Sequence, residues 1–97
     1  MEDHLYIVTY DIGDQKRWRA VFRLMNGYGE WVQLSVFQCR LSRKRHAELL
    51  ATLDEIVNQK EDHVIIIDVG VAENVSPQVV SLGKGTFEPI EREPVIV

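Results

Sequence analysis

Leu5-Tyr6-Ile7-Val8-Thr9-Tyr10 is an unbroken run of apolar, β-branched and aromatic residues near the start of the chain. Such a run predicts a strand buried on both faces. Asp11-Ile12-Gly13-Asp14 ends it, because Gly13 permits a turn and Asp14 is a good helix N-cap. From Gln15 to Asn26 the apolar positions are Trp18, Val21, Phe22 and Met25, the i, i+3, i+4, i+7 spacing of one helical stripe, with Lys16, Arg19 and Arg23 on the opposite face. Gly27-Tyr28-Gly29 stops this helix by offering left-handed conformations at little cost. Trp31 to Cys39 predicts a second strand, in which Val32, Leu34 and Val36 alternate with Gln33, Ser35 and Phe37. Ser42 is placed to cap a second helix whose stripe is Leu49, Leu50, Leu53, Ile56 and Val57. His63 to Val69 predicts a third strand and, after a loop holding Pro77, Gln78 to Leu82 a fourth. Gly83-Lys84-Gly85 turns the chain, and a charged stretch from Glu88 to Glu93 leads into Pro94-Val95-Ile96-Val97.

The order is thus β-α-β, then α-β-β or α-β-β-β. Two β-α-β units in one sheet predict an α+β, ferredoxin-like split arrangement. Two helices cover only one face of such a sheet. The other needs a cover, and a second copy of the chain is the simplest one, so a homodimer is expected. At 97 residues the chain makes one domain, 1–97, with one core. The apolar tail is expected to add to a sheet edge rather than stay in water.

Composition refines this picture. Apolar residues make up 45% and charged residues 27%, an ordinary globular balance. No apolar run approaches the roughly 20 residues that span a bilayer, so no membrane is expected. Met1-Glu2-Asp3-His4 is acidic and the following run too short for a signal peptide, which makes the cytosol the expected compartment. The lone Cys39 excludes an intrachain disulfide and reads as an apolar filler in a strand. A net charge of −4 counts against a nucleic-acid partner. Its distribution does not: Lys16, Arg17, Arg19, Arg23, Arg40, Arg43, Lys44 and Arg45 are clustered, whereas the acids fall mostly in the second half. One basic and one acidic surface are expected.

Several segments match one family in order and spacing. They are Tyr10-Asp11-Ile12 closing the first strand, the basic helix start Asp14-Gln15-Lys16-Arg17-Trp18-Arg19, and Gly27-Tyr28-Gly29-Glu30 leading into Val32-Gln33-Leu34-Ser35-Val36-Phe37-Gln38-Cys39. Glu61-Asp62-His63-Val64, Gly83-Lys84-Gly85 and Pro94-Val95-Ile96-Val97 complete the set. Across nearly its whole length the chain resembles the Cas-two family, the small universal CRISPR adaptation protein. The resemblance implies a ferredoxin-like βαββαβ fold with a four-stranded antiparallel sheet plus a short C-terminal strand. It implies a homodimer packed through its sheets, with residues 88–97 pairing with the partner subunit. It further implies a role in acquiring CRISPR spacers beside the adaptation integrase subunit and, in some members, metal-dependent endonuclease activity on single-stranded RNA or double-stranded DNA. Trp31 stands where many relatives carry a basic residue, and residues 69–80 match no motif of the family.

Asp11 can be a turn carboxylate that bonds nearby amides or a ligand for magnesium, possible with manganese as well. One Asp11 per chain is few ligands, but a two-fold axis between facing strand ends brings two together. A metal held there activates water and stabilises charge on a phosphodiester, the role the resemblance gives the matching aspartate. Arg17 and Arg19 read either as a solvated helix face or as phosphate ligands. Ser35 and Phe37 line the site from the neighbouring strand, Phe37 being either core or a base-stacking platform. Trp18 belongs to the core stripe, and Trp31 to an interface, the core or a stacked base. His4, His46 and His63 show no ligand spacing, and no nucleophile–base pair, phosphate loop or zinc signature is present. Three functions stay open: a magnesium-dependent endonuclease built on paired Asp11, a DNA-bridging dimer without chemistry, and a ferredoxin-like module that binds a small ligand at its dimer interface.

Overall fold

The computed structural model describes residues 2–83. The tail expected to form an edge strand, and the segment 88–97 expected to pair across a dimer, lie outside the described residues. The elements are β1 (His4–Asp11), α1 (Gln15–Asn26), β2 (Glu30–Gln33), β3 (Val36–Leu41), α2 (Arg43–Ile56) and β4 (His63–Val71), followed by a one-turn 3-10 helix over Ala72–Asn74. This is the βαββαβ order. The sheet is antiparallel with strand order β2-β3-β1-β4, so each helix carries the chain across one intervening strand. Central β1 aligns Val8 with Phe37 on one side and Ile66 on the other.

Both helices start where the capping residues require. Asp14 accepts a hydrogen bond from the Arg17 amide at 2.9 Å, and Ser42 accepts one from the Arg45 amide at 3.2 Å. The α1 stripe buries Val21 and Met25 completely, with Trp18 and Phe22 packed beside them. In α2, Leu49 and Leu53 are buried, whereas Leu50 turns outward. These side chains meet Tyr6, Val8 and Tyr10 of β1 and Phe37, Cys39 and Leu41 of β3 in one core. Burial pushes the Cys39 thiol up to about 12, so it behaves as an apolar filler.

Three expectations are corrected. The segment Trp31–Cys39 is a hairpin rather than one strand: the chain turns at Leu34-Ser35, and Leu34 takes a left-handed φ of 41°. The Trp31 indole N–H donates to the Leu34 carbonyl at 3.0 Å and supports this turn. Alternation continues through both halves, so a period of two cannot reveal a turn that no glycine or asparagine marks. Gln78–Leu82 is not a strand. It carries no regular structure, Leu82 is 88% exposed, and β4 itself is the fourth strand. A short apolar run following Pro77 has propensity but pairs with no sheet edge in the single chain. Finally, Gly27 ends α1 in a right-handed conformation, φ −84°. The glycine that this connection requires is Gly29, where a Cβ would run into the Cys39 sulfur and lie 2.6 Å from the Gln38 carbonyl oxygen.

The second sheet face is bare. Ile65 and Ile67 of β4 are 45% and 50% exposed, and Ile7 and Thr9 of β1 lie beside them in register. No helix of the described residues is long and apolar enough to cross a membrane.

Candidate active site at the end of β1

Strand alternation decides which way Asp11 points. Tyr10 is buried beneath the helices, so Asp11, the last residue of β1, projects from the bare face and is exposed. Thr9 shares that face and stands opposite Val36 of β3 and Ile65 of β4, while Asp11 itself pairs with His63. Among the described residues no group of three His, Cys, Asp or Glu side chains could hold a metal ion. Among the described residues Asp11 therefore lacks the partners of an all-protein metal cage. Magnesium keeps most of its waters and needs only one or two carboxylates, a demand that Asp11 would meet if two copies faced each other.

The turn after Asp11 is tied down by a residue far along the chain. The Gly13 amide donates to Asp62 Oδ1 at 2.8 Å. Arg17 donates to the same carboxylate through Nε at 2.7 Å and Nη2 at 3.1 Å, and the Asn58 amide donates to Oδ2 at 2.7 Å. The Asp62 side chain has no exposed surface. The Arg17 guanidinium, and after it the Asn58 and Gly13 amides, hold this carboxyl well below the usual carboxylate range despite the opposing effect of burial. Arg17 is raised in turn, chiefly by its bonds to Asp62. Its Nη2 also reaches Glu61 at 3.0 Å.

Ser35 docks the hairpin turn onto the end of β1. Its carbonyl accepts from the Tyr10 amide at 3.1 Å, and its hydroxyl accepts from the Trp18 indole N–H at 3.1 Å. Ser35, Leu34, Trp18 and Ile12–Gln15 line an open groove of about 490 Å³ next to Asp11. Trp18 stacks on Phe22 at 5.1 Å and 10°. The buried Tyr10 hydroxyl has no hydrogen bond of good geometry, and burial raises its pKa more than the nearby Ser35 hydroxyl lowers it.

The expected site residues therefore separate. Asp11 and Ser35 come together at one end of the sheet, and Arg19 is exposed on α1 nearby in sequence. Arg17 is turned inward: its side chain is 25% exposed and its fork is occupied by Asp62. Of the two readings of Phe37, the structure keeps the core and corrects the base platform. Phe37 has no exposed surface and packs edge-on against Phe22 at 5.6 Å and near Tyr10 at 6.3 Å, so no base can reach it. Phe37 shares a face with Trp31, its partner across the hairpin, and that face lies under the helices. Trp31, opposite Phe37 in register, is half-buried against the same core.

Sequence reasoning quoted Asp62 as part of a motif but gave it no chemistry. The signal was an Asn58-Gln59-Lys60-Glu61-Asp62 loop before a strand, which names an acidic turn and not its partners. The basic residues also sort themselves. Lys16, Arg19, Arg23, Arg43 and Lys44 are exposed, whereas Arg45 lies 4.3 Å over the Tyr28 ring and donates to the Gly27 carbonyl at 3.0 Å.

The CRISPR associated protein Cas2 family model matches residues 4–74. A CRISPR-associated endoribonuclease Cas2 of Geobacter sulfurreducens is 60% identical over 98% of this chain and 99% of its own length. One of Rhodospirillum rubrum is 50% identical over 98% and 92%. Among solved structures, a hypothetical protein of Thermus thermophilus superposes with a TM-score of 0.72 at 34% identity, covering 88% of this chain and 96% of that one. Streptococcus pyogenes Cas2 does so with a TM-score of 0.65 at 28% identity, covering 77% and 99%. The sheet with β3 and β4 flanking β1, the Asp11 strand end and these matches agree: the chain belongs to the Cas2 family.

Proposed function

We propose that the chain acts as a homodimer in CRISPR adaptation beside the integrase subunit, and that the dimer is a magnesium-dependent endonuclease that cuts single-stranded RNA. One observation carries the catalytic reading: Asp11 is exposed at a strand end on the same bare, isoleucine-rich face that a second copy would cover. Packing two such faces brings two Asp11 carboxylates toward one axis and supplies the pair of hard ligands that a single chain lacks. Magnesium bound there supplies an activated water and stabilises charge on the phosphodiester. Asp11 holds the site, and the exposed Arg19 and Lys16 attract and align the phosphate backbone. RNA is favoured as substrate because the curated relatives carry the name endoribonuclease.

The test compares wild type with Asp11→Asn on labelled single-stranded RNA and duplex DNA in magnesium or manganese. Asparagine preserves shape and removes the charge. Metal-dependent RNA cleavage is expected to fall by about 100-fold or more while the fold persists. Wild type that cuts nothing overturns the enzyme reading in favour of a DNA-bridging dimer, and a variant that cuts equally well removes Asp11 from catalysis and points to a contaminant or another site.

A further inference from the structure

We infer that Asp62 is the positioning residue for Asp11, with Arg17 serving as its clamp rather than as a phosphate ligand. At this one carboxylate three parts of the fold meet: the turn leaving β1 through the Gly13 amide, the first turn of α1 through Arg17, and the loop before β4 through the Asn58 amide. Asp11 is the last residue paired in β1, and its partner His63 directly follows Asp62. Beyond Asp11 the chain leaves the sheet, and Gly13 is the next backbone amide fastened to another element. Only Ile12 lies between this fastening and Asp11, so freedom at Gly13 becomes freedom at Asp11.

The approach is close. A Cβ on Gly13 would lie 3.3 Å from the Glu61 carbonyl oxygen and 3.7 Å from Asp62 Oδ1, which leaves little room between the two loops. Asp62 is the hub because it accepts from both loops and has no exposed surface, whereas Arg17 reaches only the loop before β4 and its own cap. A catalytic carboxylate needs placement to about 0.5 Å, and shared ligation across two copies tightens that demand. A guanidinium engaged through Nε and Nη2 with a buried carboxylate has that edge taken and cannot present it to a phosphate.

The kinetic arm of this inference rests on the proposed nuclease activity; its structural arm does not. The test uses the full chain with Asp62→Asn and Arg17→Ala, and Arg17→Lys as the conservative variant. By hydrogen exchange, the Gly13 amide in Asp62→Asn is expected to exchange about tenfold faster or more, while amides of Val8 and Phe37 stay protected. With single-stranded RNA and magnesium, both Asp62→Asn and Arg17→Ala are expected to lose about tenfold or more in kcat with KM within about twofold, and Arg17→Lys to recover part of the loss. A direct phosphate role for Arg17 gives the opposite split: Arg17→Ala raises KM, and Asp62→Asn, by releasing Arg17, leaves RNA affinity equal or higher. That result overturns the inference, as does unchanged exchange at Gly13. Wild type that cleaves no RNA overturns the nuclease reading alone, and Gly13 exchange together with the Asp11 chemical shift in Asp62→Asn then decides the positioning role.

Discussion

The two faces of the sheet are made from the same kinds of residue and end in opposite states. Under the helices, Tyr6, Val8 and Tyr10 of β1 are buried, with Val64 and Ile66 of β4 beside them. On the other face Ile7, Ile65 and Ile67 alternate with them along the same strands, and the two β4 isoleucines are about half exposed. The inner face is finished by the chain's own helices. The outer face is unfinished, and fully burying an isoleucine there is worth about 1.5–3 kcal/mol over exposing it, so covering the exposed halves gains roughly half of that per residue. Asp11 stands on the unfinished face. Under the proposed function, what covers the apolar surface would also complete the site.

The largest expected effect falls on the finished face. Phe37→Ala opens a cavity in the core and should lower stability by about 3–5 kcal/mol, read from urea unfolding. If Phe37 instead served RNA, the loss would appear in affinity with stability intact. Next is Ile67→Asp on the bare face. This variant should fold but sediment as a monomer at micromolar concentration, and its melting temperature should lose the concentration dependence expected of the wild-type dimer. A variant that still dimerises separates the isoleucine face from assembly.

A smaller effect concerns pH. The folded Asp62 carboxyl lies below its unfolded value, held there first by Arg17, so the unfolded state takes up its proton at higher pH than the native one. Its stabilisation is complete above the ordinary carboxylate range near pH 4 and is lost as pH falls through that range toward the lower folded value. The difference in melting temperature between wild type and Asp62→Asn should therefore be constant above about pH 5 and shrink below about pH 4. A constant difference down to pH 2 removes the ion pair as its cause. The smallest effect is at Arg19. Arg19→Glu should change stability by less than about 0.5 kcal/mol. It should reduce the salt slope of RNA binding by about 0.7 or more, one phosphate contact for single strands.

Much of this was legible in the sequence because it is local. The α1 stripe, the Asp14 and Ser42 caps and the strand ending at Asp11 depend on neighbours within a few residues, and the structure keeps them. The hairpin was hidden because Leu34, a residue ill suited to a left-handed φ, makes the turn while alternation runs on through it. Gln78–Leu82 has the composition of a strand, but a strand also needs an edge, which no composition supplies. Arg17 and Asp62 were both visible as charges. Their pairing was not, because 45 positions separate them and only the fold brings them to 2.7 Å. The sequence pattern therefore placed Asp11 and overlooked the residue that holds its turn.

Everything turns on whether two Asp11 residues share one site across the bare face. Wild type and Asp11→Asn chains are mixed in known ratios, unfolded, refolded to randomise the dimers, and assayed for magnesium-dependent RNA cleavage. If the site needs both carboxylates, activity should follow the square of the wild-type fraction, so that an equal mixture retains about a quarter of the full rate. Activity proportional to the wild-type fraction, about half in the equal mixture, would mean that each Asp11 works alone and that the bare face contributes no shared site.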